Sequence, residues 1–396
     1  MMCPRAPSPA GVRLYDMTRR QDVADFEELR SGGEAVHEVD ALPGIVEELF
    51  RIEFPFLAPD SPFYGITFRR YLAARWNGGD VRGAGVWAYF PWRRTAVHLP
   101  DEATFLRLRT ARNRDLITPR EQELYQAARV GVAGLSVGMS AVTTLVGTGG
   151  AGRLRIADPD VLGATNLNRV TASVCHLGAA KTAICAERLW ELNPFQRIEV
   201  FDGLTERSAE AFFGRGADCL DLLVEETDDL RTKAFARFAA RARRIPVLMA
   251  TDNGDNVLVD VERFDLEPER PLFHGAVDEA RLCRLGDRLA DAERVTLADA
   301  LVGPEMTVRV KLSLLQVGTR LVGWPQLGTA AALAGAALAY AARRILTGRP
   351  MPSGRYAVAL DEALDVGHRS PAAVAERERV GAEYRQSLRA MFGDAP

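Results

Sequence analysis

Four polar side chains near the middle of the chain are the residues best suited to chemistry: Asn166, Asn168, Arg169 and Lys181. An arginine can bind two phosphate oxygens in a planar fork, and a lysine acts as a point charge. Such cations stabilise the charge that develops when phosphorus is attacked. We therefore predict that the two cations are catalytic and that the two asparagines bind a nucleotide. A pair of solvated surface cations is the alternative.

Two carboxylates precede this group. Asp158 and Asp160 follow a short apolar run, and Asp158 lies 24 residues after Gly134. A carboxylate in this place can accept hydrogen bonds from ribose hydroxyls. Asp158 is therefore the candidate ribose ligand, with a solvated loop acid as the alternative. Asp160 is a weaker candidate for the same site, because it could equally cap the loop.

A third carboxylate, Asp228, follows another apolar run and precedes Asp229. Magnesium prefers oxygen ligands and often takes only one or two from protein. Asp228 is therefore the candidate Mg²⁺ ligand and a candidate catalytic residue. The alternative is that Asp228 caps the helix that begins near Leu230.

A glycine turn supplies a candidate phosphate site through Gly134, Ser136 and Gly138. A strand, a turn and a helix in this order can hold phosphate on backbone N–H groups at the helix N-terminus. The spacing matches neither the G-x-G-x-x-G fingerprint nor a P-loop. A tight turn without a ligand is therefore an equal alternative.

Alternating strands and helices must position these residues. The pattern predicts strands at 130–133, 154–157, 198–201, 220–224 and 245–250, and helices at 139–146, 181–192 and 230–243. This alternation predicts an α/β fold with a doubly wound, mainly parallel, Rossmann-like sheet that binds ligands at the carboxyl ends of its strands. The candidates in this region fall at such ends, except Lys181, which begins a helix.

The flanking segments predict additions to this core. Residues 1–110 predict an N-terminal α+β extension of short strands and loops, a possible substrate or partner domain. Residues 111–350 are the predicted nucleotide domain, and 351–396 a C-terminal strand and helix. Residues 307–315 suit a strand or a helix equally. The Ala-rich segment 327–346 contains Arg343 and Arg344, so we predict a buried helix there rather than a membrane span.

Composition argues against several classes of protein. The net charge of −3 gives no basis for binding nucleic acid or an anionic membrane. Five dispersed cysteines without a C-x-x-C pair argue against a structural zinc site and against a disulfide framework. The N-terminus lacks the apolar core of a signal peptide. We therefore expect a cytoplasmic protein.

The segment from about 112 to 252 resembles the ThiF/MoeB/HesA family of adenylating enzymes, which are related to ubiquitin-activating enzymes. The resemblance rests on motifs in a specific order: 129–134, 156–160, 166–169, 178–181, 191–194 and 226–228. Residues 92–94, 112–114 and 264–274 resemble more narrowly the ThiF-type module that some actinobacterial proteins carry fused to a nitroreductase-like domain. We expect this chain to end before such a domain.

The resemblance implies activation of a carboxylate by Mg²⁺ and ATP, with an acyl-adenylate and pyrophosphate as products. The substrate would be the C-terminus of a ubiquitin-like or sulfur-carrier protein, a peptide or a small acid. It implies Asp158 on the ribose, Asn166, Arg169 and Lys181 on the phosphates, and Asp228 on magnesium. Arg114 resembles an arginine that reaches into the site of a partner subunit, which implies a homodimer.

Departures from the family pattern leave other functions open. The turn reads Leu135-Ser136-Val137-Gly138-Met139, so we expect side chains to crowd the nucleotide, and Lys233 replaces a common arginine. A non-catalytic partner or scaffold subunit is therefore the first alternative, and an NAD(P)-linked oxidoreductase the second. Cys283 is a candidate covalent nucleophile, although an incidental thiol is the commoner role for a lone cysteine, as it is for Cys175.

Overall fold

The computed structural model describes residues 11–32, 35–76, 81, 83–285, 291–302 and 305–392. The chain divides into two compact units. The first contains residues 1–122 and 186–196, and the second contains residues 123–185 and 197–396. The domain boundaries expected after residues 110 and 350 stay predictions.

Among the described residues before 118, the first unit contains a four-stranded sheet and four α-helices. Its strands are β1 (Arg13–Asp16), β2 (His37–Val39), β3 (Val86–Phe90) and β4 (Thr95–Leu99), in the order β1-β3-β4-β2. Its helices are α1 (Arg20–Ser31), α2 (Leu42–Glu53), α3 (Tyr64–Arg75) and α4 (Glu102–Arg109). Residues 20–75 are thus mostly helical, and the expectation of short strands and loops was wrong there.

Helix α2 shows what that expectation overlooked. Leu42, Val46, Leu49 and Phe50 recur at the spacing of one helical face, and all four are buried. A proline follows Leu42 at the start of the helix, where proline is tolerated because the first N–H groups have no intrahelical acceptor. Proline-rich pieces in this part of the chain therefore flank helices.

A capping box starts the next helix, α5 (Pro119–Ala127). The Glu121 backbone N–H donates to Thr118 Oγ1 at 3.3 Å, and the Thr118 N–H donates to Glu121 Oε2 at 2.9 Å. The two side chains satisfy backbone donors that the first helical turn leaves without intrahelical partners.

The second unit is built on a seven-stranded sheet. Its strands are β5 (Arg129–Ala133), β6 (Arg153–Ala157), β7 (Arg197–Phe201), β8 (Leu222–Glu225), β9 (Val247–Asn253), β10 (Asn256–Glu262) and β11 (Gly354–Val358). Their order is β11-β10-β9-β8-β5-β6-β7. The five strands from β9 to β7 are parallel, and β10 and β11 are antiparallel additions. The predicted mainly parallel α/β sheet is confirmed.

The remaining described helices are α6 (Gly138–Gly147), α7 (Lys181–Leu192), α8 (Glu206–Phe213), α9 (Leu230–Ala242), α10 (Glu279–Leu282), α11 (Asp291–Val302), α12 (Val308–Leu314), α13 (Gly328–Leu346), α14 (Leu360–Leu364) and α15 (Pro371–Phe392). Helix α7 begins in the second unit, and its residues from 186 onward belong to the first. The segment left open between strand and helix is α12. Helix α13 packs closely on α6, since a Cβ on Gly335 would lie 2.7 Å from Ser140 Cβ. No described helix has the length and apolar character needed to cross a bilayer.

The strand order places several loops at one edge. Strand β5 lies between β6 and β8, so the order of the strands along the chain reverses beside it. Loops that follow β5, β6 and β8 therefore meet at their carboxyl ends, which is the usual ligand position in such sheets.

Candidate functional site

The glycine turn after β5 fits closely against the chain after β8. Gly134 has φ of +87°, and a Cβ there would lie 2.3 Å from the Glu226 carbonyl oxygen and 2.7 Å from the Thr227 nitrogen. The Gly134 N–H donates to the Ala157 carbonyl at 2.8 Å. Only glycine suits this position, because both the backbone conformation and the contact exclude a side chain. Gly138, at the start of α6, is also closely packed, with Val132 3.0 Å from the Cβ position.

The turn itself is covered. Leu135, Val137 and Met139 are 5% exposed or less, so their side chains do not project into open space. Whether these side chains crowd a bound nucleotide stays a prediction. Ser136 is 7% exposed, and its hydroxyl accepts a hydrogen bond from Arg169 Nε at 3.0 Å. Arg169 thus reaches the turn in this structure.

Asp158, Asp160 and Lys181 form a charged cluster beside the turn. Asp158 Oδ2 accepts from the Leu135 N–H at 2.6 Å, and its Oδ1 accepts from the Asp160 N–H at 2.8 Å. Lys181 Nζ donates to Asp160 Oδ2 at 2.7 Å and lies 3.8 Å from Asp158 Oδ2. Burial raises the pKa of Asp158, and Lys181 opposes that rise. The carboxylate thus orients the turn and holds the buried lysine.

The polar loop, residues 164–170, contacts the glycine turn through Arg169. Arg169 Nη1 donates to the Thr165 carbonyl at 3.1 Å and to Asn168 Oδ1 at 3.0 Å. Asn168 Nδ2 donates to the Gln326 carbonyl at 2.8 Å, which joins this loop to the segment before α13. Asn166 Oδ1 accepts from the Gly163 N–H at 2.9 Å and so shapes the loop. Burial lowers the pKa of Arg169, against the opposing charges of Asp228 and Asp252.

Two adjacent acids, Asp228 and Asp229, follow β8. The sequence left helix capping and magnesium binding open as roles for Asp228. Asp229 caps α9, because its Oδ2 accepts from the Thr232 N–H at 2.8 Å. Asp228 is exposed, and within the described residues it forms no hydrogen bond or ion pair. The carboxylate proposed to bind magnesium is therefore free of the capping role.

Sequence analysis overlooked Asp252. This aspartate is near the end of β9 and only 4% exposed, and neither carboxylate oxygen has a hydrogen-bond partner within the described part of the chain. Burial raises its pKa to about 6; Arg169 and the Gln326 side chain oppose this rise, and Asp228 adds to it. The Gln326 interaction does not amount to a hydrogen bond of ordinary length and angle. The sequence could have indicated Asp252, because this acid follows the predicted strand 245–250 at its carboxyl end.

Arg114 and two cysteines are the remaining candidates from the sequence. Arg114 is exposed in the first compact unit, and its role in a partner subunit's site stays a prediction. Cys283 and Cys175 are exposed, free thiols. The candidate role of Cys283 as a covalent nucleophile stays a prediction.

Several solved structures have a similar fold. The structure of Escherichia coli MccB with MccA-N7isoASN is 14% identical, covers 80% of this chain and 85% of its own, and has a TM-score of 0.47. The E. coli tRNA N6-threonylcarbamoyladenosine dehydratase TcdA is 22% identical, with 63% and 97% covered and a TM-score of 0.44.

A protein of Mycobacterium tuberculosis (strain CDC 1551 / Oshkosh), the uncharacterized protein MT1398, is 42% identical over 283 residues. The match covers 70% of this chain, which spans only 38% of the length of that relative. The sequence pattern of the ThiF family matches residues 110–371, more than half of the chain, and the protein therefore belongs to the ThiF family.

Proposed function

We propose that this protein is an adenylyltransferase that activates a carboxylate with ATP. The observation that carries this proposal is the convergence of two cations and several carboxylates on one glycine turn. Arg169 contacts the turn through Ser136, and Lys181 is held beside it by Asp160. Membership of the ThiF family supports the same reaction class.

In the proposed reaction a carboxylate oxygen attacks the α-phosphorus of ATP. A new P–O bond forms, the bond from the α-phosphorus to the bridging oxygen breaks, and pyrophosphate leaves with that electron pair. Arg169 would exchange its bonds to Ser136, Thr165 and Asn168 for phosphate oxygens. Lys181 has three N–H donors, and Asp160 takes one, so donors remain for phosphate.

Asp158 would accept from the ribose, and Asn166 and Asn168 would complete the phosphate loop. Asp228 does not cap α9, so its carboxylate can bind a magnesium ion. Magnesium commonly takes one or two protein carboxylates plus substrate phosphates. That ion would supply positive charge to the phosphate oxygens. Substrates compatible with this reaction include a ubiquitin-like or sulfur-carrier protein, a peptide and a small acid, and we propose a homodimer.

A cavity of about 1100 Å³ offers a place for the acyl substrate. It lies beyond the end of β9, and its walls include Asn253, Asp255, Thr307, Lys311 and Arg385. Asn253 directly follows Asp252 in β9, so the wall of the cavity adjoins the end of that strand. A substrate entering there would approach the proposed phosphates from the β9 side.

Exchange of labelled pyrophosphate into ATP tests this function. We expect exchange in the presence of a suitable carboxylate, screened from C-terminal peptides and small acids. Arg169→Ala should reduce nucleotide affinity by about tenfold or more, because a charged hydrogen bond contributes about 1.5–3 kcal/mol. Arg197→Ala is the matched control, since Arg197 is exposed at the opposite end of the sheet. Full activity of Arg169→Ala would refute the residue assignment.

A non-catalytic partner subunit is the second candidate, and the covered turn favours it. Ser136 and its neighbours are buried, and the Leu135 N–H is already bound by Asp158. Calorimetry with the non-hydrolysable analogue AMPCPP and magnesium separates the two. Absence of binding at millimolar analogue would support the scaffold and contradict the enzyme.

A further inference from the structure

Asp252 is a buried carboxylate without a partner. It is 4% exposed, and both of its oxygens lack a hydrogen bond within the described residues. An ionised carboxylate in such a place is costly unless a cation or several donors compensate it. Arg169 is its nearest named cation, but that guanidinium is bound to Ser136, Thr165 and Asn168.

Asp252 and Asp228 lie near the carboxyl ends of neighbouring strands. Strands β8 and β9 are parallel, and Leu223 pairs with Val247 and Val224 with Leu248. Beyond the end of β8, the Ala250 N–H donates to Glu226 Oε1 at 2.6 Å, which keeps the segment after β8 beside β9. Asp228 follows in that segment, and its charge acts on Asp252. Each of these carboxylates also acts electrostatically on Arg169.

Two carboxylates near the carboxyl ends of adjacent strands offer oxygen ligands to a divalent cation. Magnesium is commonly held by one or two protein carboxylates, and phosphates and water complete its shell. We propose that Asp252 is a second protein ligand of the magnesium ion that Asp228 binds, an inference that rests on the proposed function. Gln326, on the irregular segment before α13, has a side chain that interacts with Asp252.

The buried Glu225 shows why a purely structural role does not account for Asp252. Glu225 is 0% exposed, but it accepts from Thr227 and Arg237 and pairs with Lys233. Asp252 has no comparable set of donors. A bound cation would supply the missing compensation.

Manganese ions alone provide the first test, followed by electron paramagnetic resonance on the full chain. We expect the wild type to bind one ion weakly, and Asp252→Asn and Asp228→Asn each to weaken that binding at least about tenfold, as loss of metal-site groups commonly does. Asp221→Asn is the control, because Asp221 is exposed at the opposite end of β8. Wild-type manganese affinity in Asp252→Asn would overturn the proposal.

Calorimetry with AMPCPP, with magnesium or with EDTA, provides the second test. Asp252→Asn should bind the analogue about tenfold more weakly with magnesium, but as tightly as the wild type or more tightly with EDTA, because a negative charge beside the phosphates is gone. Equal weakening in both conditions would indicate a structural role and overturn the proposal. If the wild type binds no analogue, the proposed function fails, while the manganese titration still decides the metal site. Circular dichroism checks that each variant is folded, and Asp252→Ser provides a second substitution.

Discussion

Two groups of buried charges lie beside β8 and β9, and they differ in how completely they are paired. In the first, Arg237 is fully buried and donates to Glu225 at 2.5 Å and to Glu262 at 2.6 Å. Glu262 also accepts from the Phe273 N–H at 2.7 Å. In the second, Asp252 is nearly as buried but has no hydrogen-bond partner among the described residues.

The pKa values follow this difference. Burial favours the neutral form of Glu225, but Lys233 and Arg237 outweigh it and lower the pKa below its ordinary value. Burial of Asp252 is not outweighed, and its pKa rises to about 6. Compensated by its partners, a buried carboxylate stays ionised in the fold, whereas an uncompensated one marks a place where a ligand can bind.

The largest expected effect comes from breaking the paired group. Arg237→Met leaves Glu225 and Glu262 buried without their shared cation, and loss of one partner of a buried ion pair typically costs about 3–5 kcal/mol. Urea unfolding should show that the free energy of unfolding falls by about that amount. Arg241→Met, one turn further along α9, is the control: its pair with Glu279 is partly exposed, so it should lose only about 1 kcal/mol or less.

Equal losses of unfolding free energy in the Arg237 and Arg241 variants would contradict the comparison. They would mean that a buried ion pair and a partly exposed one contribute equally to stability. Nucleotide affinity, measured under conditions in which both variants are folded, should remain near the wild-type value. Neither arginine contacts the residues assigned to phosphate.

The unpaired group should respond in the opposite direction. Asp252→Asn is expected to stabilise the metal-free protein at pH 8 by about 1–3 kcal/mol, since it removes a carboxylate whose ionisation is unfavourable in the fold. The folded pKa is raised, so the wild-type penalty is complete above pH 6 and is lost as the pH falls towards the unfolded value. The difference between the proteins should therefore narrow by about half at pH 5.

Urea unfolding in EDTA at pH 8, 6 and 5 measures this difference. The variant and the wild type share the other buried acids, so their difference isolates Asp252. A variant less stable than the wild type at pH 8 would mean that Asp252 makes a favourable interaction in the ligand-free fold, and the contrast between the two groups would disappear.

Much of the sheet was predictable from sequence, because its buried strands are short apolar runs separated by amphipathic helices. The same alternation placed Asp158 and Asp228 at strand ends, and the structure confirms the parallel strands that bring those ends together. Helix α8 was missed, although Thr205 caps it and Phe212 and Phe213 are fully buried. Its eight residues offer too few turns for a clear helical period.

The pairing of charges could not be predicted. Sequence shows that Asp228 and Asp229 are adjacent, but only the backbone direction decides that Asp229 caps α9. Likewise, Lys233 replaces a common arginine, and its contact with Glu225 depends on packing between β8 and α9. Asp252 was overlooked because burial without a partner is a property of the folded chain.

The smallest expected effect concerns the start of α13, which follows the segment that contains Gln326. A Cβ on Gly328 would lie 2.5 Å from the Asn168 carbonyl oxygen, so Gly328→Ala must push α13 away from the polar loop. We expect AMPCPP affinity to fall about fivefold, roughly 1 kcal/mol, because Asn168 and Arg169 shift together. Gly323→Ala is the matched control, since no atom lies within 4 Å of its Cβ position. Calorimetry should find the control near wild type, and an equal response of both variants would separate this segment from the nucleotide site.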